Sequence, residues 1–169
     1  MSYKKEIILN SFQALLFNNA GLHLENIIQL KAHASERNIY RLETNGKSFI
    51  GIYNENIKEN LAFVSFSRTF RELELKVPEI INVSDDGLFY IEEDLGDLTL
   101  YEYSLTSERK SVLSKYENAL TDLLKFQISA KDKIDYGYCY QTKKFDETAV
   151  RDDIKKFSTF QMLIQFSNP

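Results

Sequence analysis

Asn45-Gly46 is the strongest local constraint in the chain. Both residues tolerate positive φ, so an Asn-Gly step between two short apolar runs specifies a tight antiparallel hairpin. The runs beside it are Ile39 to Thr44 and Phe49 to Tyr53. A third strand-like run, Ile27 to Lys31, precedes them across a polar turn. Further on, Glu79 to Val83 and Leu88 to Glu92 flank Ser84-Asp85-Asp86-Gly87, a second turn signal. Five strand-like runs in this order predict a mainly antiparallel sheet.

Helical periodicity brackets and interrupts these strands. Over residues 4 to 18, Ile7, Ile8, Phe12, Leu15 and Leu16 fall on one face, and Asn18-Asn19-Ala20-Gly21 stops the helix. A second helix is capped by Asn56 with Glu59 three residues on, and Ile57, Leu61, Val64, Phe70 and Leu73 are its expected buried stripe. Its glutamates, Glu59 and Glu72, read by themselves as a solvated face. From Leu98 the character changes. Ser107-Glu108 opens a long helix carrying Val112, Leu113, Tyr116, Ala119, Leu120, Leu123 and Leu124, a stripe wide enough to need a partner surface. After the aromatic turn Asp135 to Tyr140, residues 145 to 157 look helical, and the apolar segment 160 to 166 reads as an interrupted helix or a tail.

Composition narrows the function classes. A net charge of -4 with interspersed signs offers no basic stripe for a phosphate backbone, so nucleic acid is not an expected partner. Cys139 is the only cysteine and cannot form an internal disulfide. The two histidines, His23 and His33, have no recognised metal-ligand spacing. There is no secretion signal and no apolar run near the roughly 20 residues of a membrane span, which together predict a cytoplasmic protein without membrane contact.

Four segments carry a resemblance: Lys31 to Leu42 with its core Ala34-Ser35-Glu36-Arg37-Asn38, then Phe49 to Tyr53, then Val77-Pro78-Glu79-Ile80, then Glu92-Glu93-Asp94-Leu95-Gly96-Asp97. In that order and at that spacing the chain resembles the nucleotide-binding lobe of the aminoglycoside phosphotransferase and choline kinase superfamily, and is closest to bacterial amino-sugar kinases. The resemblance covers residues 5 to 157. It implies an α+β fold: residues 1 to 97 form a protein-kinase-like amino-terminal lobe, a five-stranded, mainly antiparallel sheet plus helix with a leading helix. Residues 98 to 169 are the hinge exit and a partial helical carboxy-terminal lobe.

The resemblance also implies ATP as the ligand, with magnesium in a full-length relative, and a small hydroxylated acceptor such as an amino sugar. Small Ala34 and Ser35 would bring backbone amides to the phosphates, with charge from Arg37; a plain hairpin turn is the alternative. Kinases place a lysine on the third strand against a helix glutamate. Here Gly51-Ile52-Tyr53 occupies that stretch, leaving Arg41 or Lys47 to compensate. By position, the Glu92 carbonyl and the Asp94 amide would face adenine, with Ile50 and Ile52 above the ring. The family's catalytic His-x-Asp loop does not occur in the sequence, so the lobe reads as truncated before the catalytic residues and inactive alone. Two other classes stay open: a non-catalytic nucleotide-binding regulatory module, and an interaction domain that docks a partner, or a second copy, through its carboxy-terminal helices.

Overall fold

The computed structural model describes residues 3–31, 37–140 and 146–167. In chain order the elements are α1 (Tyr3–Ala20), β1 (Leu24–Leu30), β2 (Asn38–Thr44), β3 (Lys47–Tyr53), α2 (Ile57–Glu72), β4 (Ile80–Val83), β5 (Phe89–Glu93), α3 (Leu100–Thr106), α4 (Arg109–Ala130) and α5 (Glu147–Ser167). The fold is α+β. Five strands make one antiparallel sheet in the order β1-β2-β3-β5-β4, with α2 crossing between β3 and β4. The Asn45-Gly46 turn joins β2 to β3, with Gly46 at φ +80°. None of the described helices is long and apolar enough to cross a membrane.

The two faces of the sheet are covered by different helices. On one, α1 inserts Ile8, Phe12, Leu15 and Leu16 against Tyr40, Leu42, Phe89 and Ile91. Gly51 allows this close approach: a Cβ there would stand 2.7 Å from the Phe12 ring and 2.8 Å from Leu42. Phe12 meets Phe89 edge-on at 5.4 Å, a favoured aromatic geometry. Ile7, expected on this face, is 43% exposed, because it lies off the arc defined by Ile8, Phe12 and Leu15.

The other face carries Ile52, Val64 and Tyr90, with Ile50, Phe63, Ile80 and Val83 around them. Here α2 corrects the expected stripe. Ile57 and Leu61 are exposed, and the helix buries Asn60, Ala62, Val64 and Ser67. The physical reason is polar. Asn60 donates its amide to the carbonyls of Gly87 (2.9 Å), Leu88 (3.2 Å) and Asn54 (3.3 Å), tying the helix to the backbone on either side of it. That anchor rotates the helix away from the hydrophobic positions. As expected, Asn56 caps α2 by accepting from the Glu59 amide.

Compact packing runs through Asp135, so α3 and α4 group with the sheet although the composition changes at Leu98. The sequence reading passes over α3, yet it starts with a complete capping box between Thr99 and Glu102. α4 meets α2 through Phe126, edge-on to Phe70 at 5.1 Å, and its Asp122 takes Lys76, from the connection between α2 and β4, at 2.8 Å. Its opposite side leaves Leu113, Tyr116, Leu120, Leu123, Leu124 and Ile128 exposed. The second unit begins at Tyr136, in a 3-10 turn. In it α5 starts under Asp146, which accepts from the Thr148 and Ala149 amides, and continues to Ser167. The segment read as an interrupted helix or tail is therefore continuous helix, since neither glycine nor proline intervenes.

Candidate functional site

Antiparallel register sets out the site. Residues directly opposite each other share a face. Arg41 on β2 lies opposite Ile50 on β3, Ile50 opposite Glu92 on β5, and Glu92 opposite Ile80 on β4. The neighbouring row is Ile39, Ile52, Tyr90 and Val83. Both rows lie on the α2 side of the sheet. Arg41, Ile50, Ile52, Glu92 and the start of the segment after β5 are thereby brought together. Ser35, with the rest of residues 32–36, lies outside the described residues. Arg37 directly precedes β2.

Arg37 pairs with the helix. Its guanidinium reaches Glu59 at 2.6 and 2.8 Å and lies 5.2 Å over the Phe63 ring. Asn54 donates to the other Glu59 oxygen at 3.1 Å. Each charged side chain keeps only about a fifth of its surface in solvent, 23% for Arg37 and 20% for Glu59. Glu59 is thus no solvated residue, whereas Glu72 is exposed. A pair this shielded fixes geometry, because removing one partner leaves a desolvated charge behind. Lys47, a candidate for compensating charge, is exposed at the hairpin end of β3.

Arg41 is committed elsewhere. It grips Asp94 with two bonds, 2.7 Å from Nε and 3.1 Å from a terminal nitrogen, and reaches Asp97 at 2.8 Å. Two parallel bonds are the strong geometry for arginine and a carboxylate. Asp94 is 4% exposed, and burial opposes its ionisation. Bonds from Arg41, the Gly96 amide and Ser48 outweigh that cost and hold its carboxyl below the usual range. Those same bonds, from Asp94 first and Asp97 second, raise the Arg41 pKa further. Arg41 and Asp94, read in the sequence as ligand contacts, thus also bind each other across 53 residues and tie the segment after β5 back to β2.

Glu92 differs from every other carboxylate here. Its Oε2 is closed off from solvent and has no hydrogen-bond partner among the described residues. Burial pushes its carboxyl up to about 7, only partly offset by the Arg37 charge. Tyr90, 1% exposed, is also raised, by burial first and by Glu92 second. Because β5 is paired at Glu92 by β3 on one side and β4 on the other, the Glu92 backbone belongs to the interior of the sheet. The expected adenine contact through its carbonyl is therefore not at a free strand edge.

The two isoleucines separate. Ile52 is 2% exposed, packed with Val64 and Tyr90, so a charge placed there enters the core. Ile50 stays partly exposed between Arg41 and Glu92. Among the described residues, His, Cys, Asp and Glu side chains form no group of three suited to a metal ion. Sequence reasoning missed the Arg37–Glu59 pair and the isolation of Glu92. The signal for the first was Glu59 itself, whose cap position did not reveal that its side chain turns to a residue 22 positions away. No family model matches the chain, and no curated protein matches it in sequence.

Proposed function

We propose that this chain is the nucleotide-binding lobe of a small-molecule phosphotransferase related to the aminoglycoside phosphotransferase and choline kinase superfamily. One observation carries the reading: the ion pair of Arg37 with Glu59, on the sheet face that also presents Ile50 and the exit from β5. In kinases a strand lysine pairs with a helix glutamate beside the phosphates. Here the helix between β3 and β4 supplies the glutamate, and the cation comes from the residue just before β2. The functional arrangement is kept while the source of the charge moves by one strand.

The rest of the site supports the same use. Arg41 holds Asp94 and Asp97, giving the segment after β5 a fixed course for a base to lie against. Ile50 offers an apolar contact for a flat ring. The acceptor, a hydroxylated metabolite such as an amino sugar, would meet groups this sequence lacks, beginning with the His-x-Asp loop. Phosphoryl transfer depends on positioning and on charge at the phosphates, so this chain alone turns over no acceptor. The exposed apolar side of α4 favours an additional property, self-association through that helix.

Calorimetric titration of the purified chain with Mg-ATP and with ADP tests the reading. Saturable, weak binding of both is expected, weakened by Ile50→Arg. Absence of heat with either nucleotide, from protein shown to be folded by circular dichroism, overturns it.

A further inference from the structure

Arg41 stands in the row that contains Glu92 and Arg37 acts on the Glu92 carboxyl, but each arginine is engaged by another carboxylate: Arg37 by Glu59, Arg41 by Asp94 and Asp97. Glu92 is left with one oxygen buried and, among the described residues, unbonded, although its residue as a whole keeps part of its surface exposed. A buried, unpaired carboxyl oxygen is costly, and each such group calls for a reason, of which a partner arriving from outside is one. The neighbours opposite Glu92 on β3 and β4 are Ile50 and Ile80, which supply none. Its backbone groups are enclosed by the sheet. The side chain is what this position offers to a ligand.

We infer that Glu92 reads the base of the bound nucleotide through its side-chain carboxyl, and that its protonation state sets the preference between adenine and guanine. The inference rests on the nucleotide-binding reading above and names the residue that gives it specificity. A protonated carboxyl has one O–H donor and one carbonyl acceptor. That pair complements adenine, which presents an amino donor beside a ring-nitrogen acceptor. An ionised carboxylate only accepts, and complements the adjacent N1–H and amino donors of guanine. Protonation moves a single proton to and from solvent, so no co-reactant is needed.

The electrostatic setting places the change near neutrality. Burial raises the carboxyl to about 7, and Arg37 acts against it. Among the described residues, the other titratable groups on this side of the sheet include Tyr90 on β5 and Glu59 on α2, with Arg41 and its partner Asp94 beyond Ile50. Tyr90 titrates far above this range, and the paired carboxylate Asp94 titrates below its usual range. Of these groups with shifted titration, Glu92 alone changes charge close to pH 7.

The test compares ADP with GDP on the same protein from about pH 6 to about pH 8, by calorimetry. Titration of the phosphates is common to both ligands and cancels in the ratio of their affinities. In the wild-type chain the preference for ADP over GDP should fall by at least about tenfold across this range, given a carboxyl that titrates near its middle. Glu92→Gln keeps one donor and one acceptor at every pH, and should bind ADP well with a ratio that stays flat. Circular dichroism at each pH confirms that both proteins are folded. A wild-type ratio independent of pH, or equal in Glu92→Gln, overturns the role of Glu92 while leaving nucleotide binding intact. Failure to bind either nucleotide overturns both.

Discussion

Replacing Glu92 by Gln should change the pH dependence of stability in a specific direction. The folded carboxyl titrates at about 7, against an ordinary value of 4.5. A group with a raised folded pKa binds more protons folded than unfolded between those values, so stability falls as pH rises through that window. At about 1.4 kcal/mol for each tenfold difference in proton affinity, the full span is about 3 kcal/mol. Glutamine is neutral throughout and carries no such penalty. Urea unfolding followed by circular dichroism, repeated from about pH 4.5 to about pH 8, gives the two stability curves. The difference, Glu92→Gln minus wild type, should grow from its acid value by up to about 3 kcal/mol and level off above pH 7. A difference that stays constant with pH would mean that Glu92 is solvated in the folded protein, and the argument built on its isolation would fail.

Other perturbations test separate parts of the structure. Arg41→Ala strands Asp94 as a nearly buried, uncompensated carboxylate and should cost about 3 kcal/mol in urea unfolding; a loss below about 1 kcal/mol would show that the Arg41 grip on Asp94 is solvated. Gly51→Ala pushes a methyl into Phe12 and Leu42, both fully buried, and should destabilise by about 1–3 kcal/mol; a neutral or stabilising effect would show that α1 does not sit tightly on β3. The double variant Leu120→Glu, Leu124→Glu should sediment as a folded monomer while the wild type associates, because both leucines are exposed, at 62% and 57%. A wild type that is already monomeric, or a variant that unfolds, would refute self-association through α4.

Local chemistry made the sheet legible in the sequence. Asn45-Gly46 fixed the hairpin between β2 and β3, and Ser84-Asp85-Asp86-Gly87 the turn between β4 and β5, because turn conformations depend on a few adjacent residues. The Thr99…Glu102 spacing marks α3 just as openly, beside the longer pattern of α4. What periodicity could not convey was the orientation of α2. Its rotation is decided by Asn60 bonding to Gly87 and Leu88, residues far along the chain, and a helical stripe drawn from Ile57 and Leu61 has no access to that constraint. The candidate site divides in the same way. Register placed Arg41, Ile50 and Glu92 in one row once the strands were known, but the pairings of Arg37 with Glu59 and Arg41 with Asp94 join residues 22 and 53 positions apart. Glu92 was singled out for its backbone. Only the three-dimensional arrangement, with a paired strand on either side and both arginines engaged elsewhere, shows that its side chain keeps a buried oxygen without a partner among the described residues.

The most direct measurement is a map of backbone amide chemical-shift changes in the nitrogen-15-labelled chain on titration with ADP. The account predicts saturable changes confined to the α2 side of the sheet and its margin: Arg37, Glu59, Arg41, Ile50, and Glu92 through Asp97. Changes centred on α1 and the β4–β5 turn, on the opposite face, or no saturable change in folded protein, would contradict it.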